Sequence, residues 1–191
     1  MQADEVKVFD EVIESDLAVR LTSLLNRPIW QFGWKSNISR DRFSFWHTHF
    51  AGGNISSLSP CLDEMNALSP DIPIPDLWKA IYSRFLEGHQ PLRIYGNAHT
   101  FGTEGYCHTD SGRDDYFSTI YYAHPAWDAN WGGELIFYDS HGDIVSSVSA
   151  KPGRIVHFPG RLIHRVAPLT RECDQLRMSI VFKTQLGRGA Q

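Results

Sequence analysis

The sequence predicts a mainly β jelly roll with helices packed on one outer face. Two observations point there. Helix-like spacing of apolar residues is confined to the part before about residue 90. From about Pro91 onward, short segments rich in β-branched and aromatic residues alternate with Gly, Asp and Pro. Helices followed by many short strands suit a double-sheet barrel rather than alternating β-α units. A chain of 191 residues with 42% hydrophobic and 21% charged residues can bury the core of one soluble domain.

Taken in order, Glu5 to Phe9 reads as a short strand. Ser15 or Asp16 can cap a helix carrying Leu17, Leu21, Leu24 and Leu25, which Pro28 ends. A second helix is expected from about Pro60 to Leu68. A third runs from about Pro75 to Leu86, with Pro75-Asp76 at its start, Leu77, Ala80, Ile81 and Phe85 on one side, and Gly88 at its stop. Strands are expected near Leu92–Tyr95, Tyr116–Tyr122, Glu134–Tyr138, Ile144–Ser149, Arg154–Phe158, His164–Val166 and Gln175–Lys183. The single domain thus divides into a helix-and-strand part over about 1–90, a jelly-roll core over about 91–184 and a loose tail over 185–191.

Composition excludes several function classes. A net charge of -4 gives no basic bias towards nucleic acid. No run approaches the roughly 18 apolar residues of a membrane span. Cys61, Cys107 and Cys173 are odd in number and widely spaced, which argues against a disulfide framework and suits a reducing compartment. The acidic N-terminus lacks an apolar signal region, so a cytoplasmic setting is expected. Cys107 is expected to be packed on the face opposite its histidine neighbour.

His108-Thr109-Asp110 carries the chemistry. Residues i and i+2 of an extended segment share a face, so an imidazole and a carboxylate converge. His164 stands 56 positions later on an expected strand and can supply a third ligand. Two His and one carboxylate on one face of an octahedron leave positions open, the facial arrangement of non-haem Fe(II) oxygenases.

Three further stretches accompany this constellation: Ser118-Thr119-Ile120-Tyr121-Tyr122 followed by Trp127-Asp128 and Gly132-Gly133-Glu134-Leu135; Lys151-Pro152-Gly153 through Phe158-Pro159 leading into Leu162-Ile163-His164-Arg165-Val166; and the strand Arg177-Met178-Ser179-Ile180-Val181-Phe182. In this order they resemble the prolyl-hydroxylase-like branch of the 2-oxoglutarate/Fe(II)-dependent dioxygenase family over about Leu92 to Lys183. The resemblance implies a double-stranded β-helix with His108, Asp110 and His164 on Fe(II). It implies 2-oxoglutarate and O2 as cosubstrates, with Arg177 on the distal carboxylate of 2-oxoglutarate. Tyr95 and Tyr122 match tyrosines that hydrogen-bond the cosubstrate in relatives. Arg177 lies 13 positions after His164, a longer spacing than the family's, and the intervening loop makes Arg171 a rival.

Other residues carry looser expectations. His47 and His49 share a face and either line a substrate pocket or act as buried hydrogen-bonding groups. Arg40 and Arg42 either draw in an anionic substrate group or stand in solvent. Trp127 and Trp131 either pack their loop or roof the active site. His157, on a core strand, reads as a structural histidine. The expected function is hydroxylation of an unactivated C–H bond in a small molecule, such as an amino acid or natural-product intermediate, with release of succinate and CO2. The alternatives are a prolyl hydroxylase acting on protein or peptide and a non-catalytic jelly-roll binding module.

Overall fold

The computed structural model describes residues 5–53 and 57–187. Among the described residues, ten strands and three α-helices follow one another. They are β1 (Lys7–Phe9), α1 (Ser15–Leu25), β2 (Gln31–Trp34), β3 (Phe45–Gly52), α2 (Leu62–Asn66), α3 (Ile74–Phe85), β4 (His89–His99), β5 (Tyr116–Tyr122), β6 (Leu135–Tyr138), β7 (Ile144–Val148), β8 (Ile155–Pro159), β9 (Ile163–Val166) and β10 (Arg177–Leu186). Seven strands form one sheet in the order β1-β8-β5-β10-β4-β3-β2, and β7-β6-β9 form a second. Two antiparallel sheets with these crossovers make the jelly roll that the sequence predicts. Among the described residues no helix is long and apolar enough to cross a membrane.

Strand alternation sorts the core into two layers. Ile94, Ala98, Met178, Ile180 and Phe182 turn outward and pack under the helices with Leu21, Leu24, Leu77, Trp78 and Ile81. Tyr95, Ile120, Tyr122, Leu135, Phe137, Phe158 and Val181 turn inward between the sheets. The period of two that makes a strand amphipathic here gives both faces an apolar neighbour, so the central strands read as nearly continuous apolar runs.

All three expected helices form, with differences at their ends. α1 has Glu14 rather than Ser15 or Asp16 at its N-cap position, with no side-chain cap. It ends at Leu25, before Pro28. α3 begins at Ile74 and carries Pro75 in its first turn, where a missing N–H costs nothing. β2 and β3 are strands that periodicity alone did not predict. Gln31, Phe32 and Gly33 are exposed on an edge strand, so no apolar alternation marks β2. The tail over 185–191 is also shorter than expected. Gln185 and Leu186 belong to β10, and Leu186 N donates to Asp115 O at 2.8 Å and Gly187 N to Gly88 O at 2.9 Å. Residues 188–191 lie outside the described part. The three cysteines are unpaired, and Cys107 is exposed rather than packed.

On the outer face, His157 meets Thr119 Oγ1 at 2.9 Å and His89 meets Thr184 Oγ1 at 3.0 Å, beside Phe117. Burial pushes His89 down to about 4 and His157 down to about 3. Both are neutral in the fold but take up a proton near pH 6.5 when unfolded. Their folded pKa values are depressed, so the stability they protect is present above pH 6.5 and is lost as pH falls through about 4 and about 3. Stability is therefore expected to fall between pH 6.5 and 4. The loss at pH 5 should be on the order of 1–2 kcal/mol per histidine. Urea midpoints at pH 7 and 5 check this, and His157→Gln should flatten the profile.

Candidate metal and cosubstrate site

The sequence His108-Thr109-Asp110 lies at the barrel mouth and is pinned to two neighbours. His108 N donates to His164 O at 3.1 Å and His164 N to His108 O at 3.0 Å, a two-way bridge between the segment and β9. Asp110 N donates to Gly160 O at 2.8 Å. The bridge explains how two histidines far apart in sequence come together, with ring centroids 4.5 Å apart.

Both imidazoles are oriented by main chain. His108 Nδ1 lies 2.7 Å from Tyr106 O and His164 Nδ1 lies 2.8 Å from Leu162 O. A ring nitrogen facing a carbonyl must carry the proton, which leaves each Nε2 as a lone pair. The Nε2 atoms then converge on one carboxylate: His108 Nε2 is 3.5 Å from Asp110 Oδ1, and His164 Nε2 is 3.6 Å from Oδ2. All three ligand atoms lie within 4.8 Å of one another. Two imidazoles and a carboxylate on one side of a point fit a divalent first-row ion and leave the opposite side open.

Asp110 is itself held. Ser118 Oγ donates to Oδ2 at 2.6 Å, and Lys183 Nζ pairs with the same oxygen while donating to Ser118 Oγ at 2.9 Å. Burial alone would raise the Asp110 pKa, but Lys183 and the two histidines overcome it and hold the carboxyl well below its ordinary range. Burial pushes His164 down to about 4, keeping it neutral and ready to bind a cation. For His108, burial opposes the proton, but its contacts with Asp110 and Tyr106 prevail and raise the pKa.

The triad lies where two chambers meet. The inner chamber runs past His99, Ser179 and Val181 to Arg177. The outer chamber, about 190 Å³, runs past Trp34 and Tyr116 to Arg93 and Lys183. Alternation on two neighbouring strands creates this layout. Arg177, Ser179, Val181 and Lys183 of β10 face His99, Asn97, Tyr95 and Arg93 of β4 in register.

Arg177 is 1% exposed. Its Nε donates to Gly133 O at 2.7 Å, one amino group donates to Tyr122 Oη at 3.2 Å, and the guanidinium lies 4.9 Å from the Tyr122 ring centroid. These contacts leave donors on the chamber side, suited to a carboxylate. Arg171 is exposed and sits against Phe101 outside both chambers. Tyr122→Phe removes one partner of Arg177, and a roughly tenfold rise in the apparent 2-oxoglutarate KM is expected, read by succinate formation.

Tyr95 lines both chambers. His47 is buried behind the wall, stacked on Trp34 at 4.0 Å and 3.0 Å from Asn97 Oδ1. Arg42 and His49 are exposed and line neither chamber. Trp127 Nε1 donates to Gly132 O at 3.0 Å and meets Trp131 edge-on. The two tryptophans brace the loop that supplies Gly133 O to Arg177, and neither lines the two chambers. Sequence reasoning did not single out Lys183, Ser118, Arg93, Trp34 or His99. The alternation Arg177, Ser179, Val181, Lys183 along one strand was the available signal for Lys183.

The sequence profile of the 2OG-Fe(II) oxygenase superfamily matches residues 92–182, which hold every ligand of the triad and Arg177. Over that stretch, just under half of its length, the chain is similar to this superfamily. With it come Fe(II), 2-oxoglutarate and O2 as the family's cofactor and cosubstrates. A PKHD-type hydroxylase of Xanthomonas euvesicatoria pv. vesicatoria is 37% identical over 76 residues, covering 40% of this chain and 30% of the relative. A PKHD-type hydroxylase of Pseudomonas putida (strain W619) is 30% identical over 141 residues, covering 65% of this chain and 58% of the relative. This chain therefore spans about a third to three fifths of those proteins. Among solved structures, a 2OG-Fe(II) oxygenase family oxidoreductase from Burkholderia pseudomallei superposes with TM-score 0.73 at 14% identity, covering 98% of this chain and 88% of that one. A prolyl hydroxylase from Trichoplax adhaerens, in complex with a hypoxia inducible factor peptide fragment, superposes with TM-score 0.66 at 15% identity, covering 95% and 84%.

Proposed function

We propose that this protein is an Fe(II)- and 2-oxoglutarate-dependent oxygenase that hydroxylates an unactivated C–H bond of a small molecule. One observation carries the reading. The three converging ligands and the buried Arg177 open onto the same inner chamber. Family-wide chemistry then assigns the roles. His108, His164 and Asp110 hold the iron. Arg177, positioned by Gly133 O and Tyr122, grips the distal carboxylate of 2-oxoglutarate. Iron with 2-oxoglutarate and O2 supplies the oxidising power to break a C–H bond, releasing succinate and CO2. The protein orients both reactants and keeps bulk water from the inner chamber, whose walls Leu135, Ile120 and Val181 make apolar. The three free cysteines fit a reducing, cytoplasmic setting.

The likeness to a prolyl hydroxylase in complex with a peptide fragment suggests a second reading, hydroxylation of a prolyl residue in a peptide. The ionic outer chamber favours a compact polar substrate. Anaerobic addition of Fe(II) and 2-oxoglutarate should give a weak visible charge-transfer band. Iron uptake with no band would refute the cosubstrate assignment. Mass gain of sixteen daltons, about one oxygen atom, on free amino acids but not on Pro-containing peptides would support the small-molecule reading. Mass gain confined to the peptides would overturn it.

A further inference from the structure

The outer chamber holds an arginine that the proposed reaction does not use. Arg93 is 6% exposed, yet among the described residues it donates no hydrogen bond and pairs with no acid. Its guanidinium lies between two rings, 4.8 Å from the Trp34 centroid and 4.4 Å from that of Tyr95. Two rings so close hold the guanidinium in place, and Arg93 lines the outer chamber. Arg93 also stands in register with Lys183 on β10, so two cations share one buried face of neighbouring strands. Like charges placed so are unfavourable unless each finds an anion. Lys183 has Asp110, the one acid lining this chamber. Arg93 has none.

We propose that Arg93 is the recognition residue for a carboxylate on the substrate, so that the substrate class is a small carboxylic acid. The inference rests on the oxygenase reading and sets its substrate. Arg93 lies at the opposite end of the β10 face from Arg177. Lys183, the register partner of Arg93, lies six positions along β10 from Arg177. Six residues of strand span roughly 20 Å, too far for one short dicarboxylate to bridge. The chambers therefore take two different acids: 2-oxoglutarate at the Arg177 end and the substrate at the Arg93 end, with the ligand triad between them. The planar fork, held between Trp34 and Tyr95, receives both carboxylate oxygens. Arg42, the sequence candidate for an anionic group, is exposed beside Phe43.

The test titrates anaerobic protein, loaded with Fe(II) and 2-oxoglutarate, with sodium benzoate and with its neutral isostere benzamide, following tryptophan fluorescence. Wild type should show saturable benzoate quenching, with benzamide at least tenfold weaker. Arg93→Gln should lose at least tenfold in benzoate affinity, Arg93→Lys should retain part of it, and Trp34→Phe should lose the signal. Equal binding of benzoate and benzamide, absence of saturable benzoate binding by wild type, or an Arg93→Gln titration matching wild type would each overturn the proposal. The visible band of 2-oxoglutarate is followed in the same samples. Loss of the band with benzoate discrimination retained refutes the cosubstrate reading alone. A band with no discrimination refutes the carboxylate subsite alone. A band lost in Arg93→Gln but kept in Arg177→Gln would reverse the two ends and overturn the assignment.

Discussion

Asp110→Ala is expected to abolish iron-dependent conversion of 2-oxoglutarate to succinate, by more than about 100-fold, and to destabilise the fold as well. The first effect exceeds the 10–100-fold that loss of a mere supporting contact to a ligand costs. The second has a different cause. Lys183 is buried, and Asp110 is its only ion-pair partner among the described residues. Removing the carboxylate strands an ammonium inside the barrel, with only the Ser118 hydroxyl at 2.9 Å to receive it. Breaking a buried pair from one side costs about 3–5 kcal/mol, or roughly 10 °C in Tm for a chain of this size. The double variant Asp110→Ala with Lys183→Met removes both charges and should recover most of the lost Tm, but no turnover. Thermal melting of the single and double variants, alongside succinate formation, separates the roles. If the double variant melts as low as Asp110→Ala, Lys183 is not the source of the destabilisation.

The same carboxylate shows what was readable in the sequence. His108-Thr109-Asp110 lies within one extended segment, so its convergence follows from strand periodicity without any fold. His164 needed a partner strand, and the spacing of Gly, Pro and β-branched residues was enough to place it on one. Lys183 and Arg93 were not legible in the same way. What makes them a pair is the β4–β10 register, which is decided by the core packing of Ile94, Ala98, Ile180 and Phe182 rather than by either residue's neighbours in sequence. The central strands were visible because both their faces are buried and the apolar signal is dense. β2 and β3 were missed for the opposite reason. β2 is an edge strand that exposes Gln31, Phe32 and Gly33, and β3 beside it breaks register with β4 between His49 and Ala51. Yet these weakly patterned strands bring Trp34 to the outer chamber with His47 stacked behind it, which is why its wall did not emerge from the sequence.

Arg177→Gln is expected to raise the apparent KM for 2-oxoglutarate by at least about 100-fold, since a paired charged hydrogen bond to a carboxylate contributes on the order of 3 kcal/mol. Arg171→Ala should leave that KM unchanged, because its side chain lies against Phe101 in solvent. The two variants thus decide between the arginines that spacing alone left open. Arg177→Lys should recover only part of the loss. Its single ammonium cannot hold Gly133 O and Tyr122 Oη while also presenting two parallel donors to the ligand. Gly133→Ala supplies an independent check that leaves the guanidinium in place. Gly133 has φ of +76°, and an added Cβ would lie 2.9 Å from Arg177 Cδ and 2.7 Å from Leu169 Cδ2. The methyl pushes the arginine off its anchor, so the 2-oxoglutarate KM should rise in this variant too. Activity with excess 2-oxoglutarate should return in Gly133→Ala more fully than in Arg177→Gln, because the displaced cation is still present. Equal 2-oxoglutarate KM values in wild type and Arg177→Gln would remove Arg177 from the site.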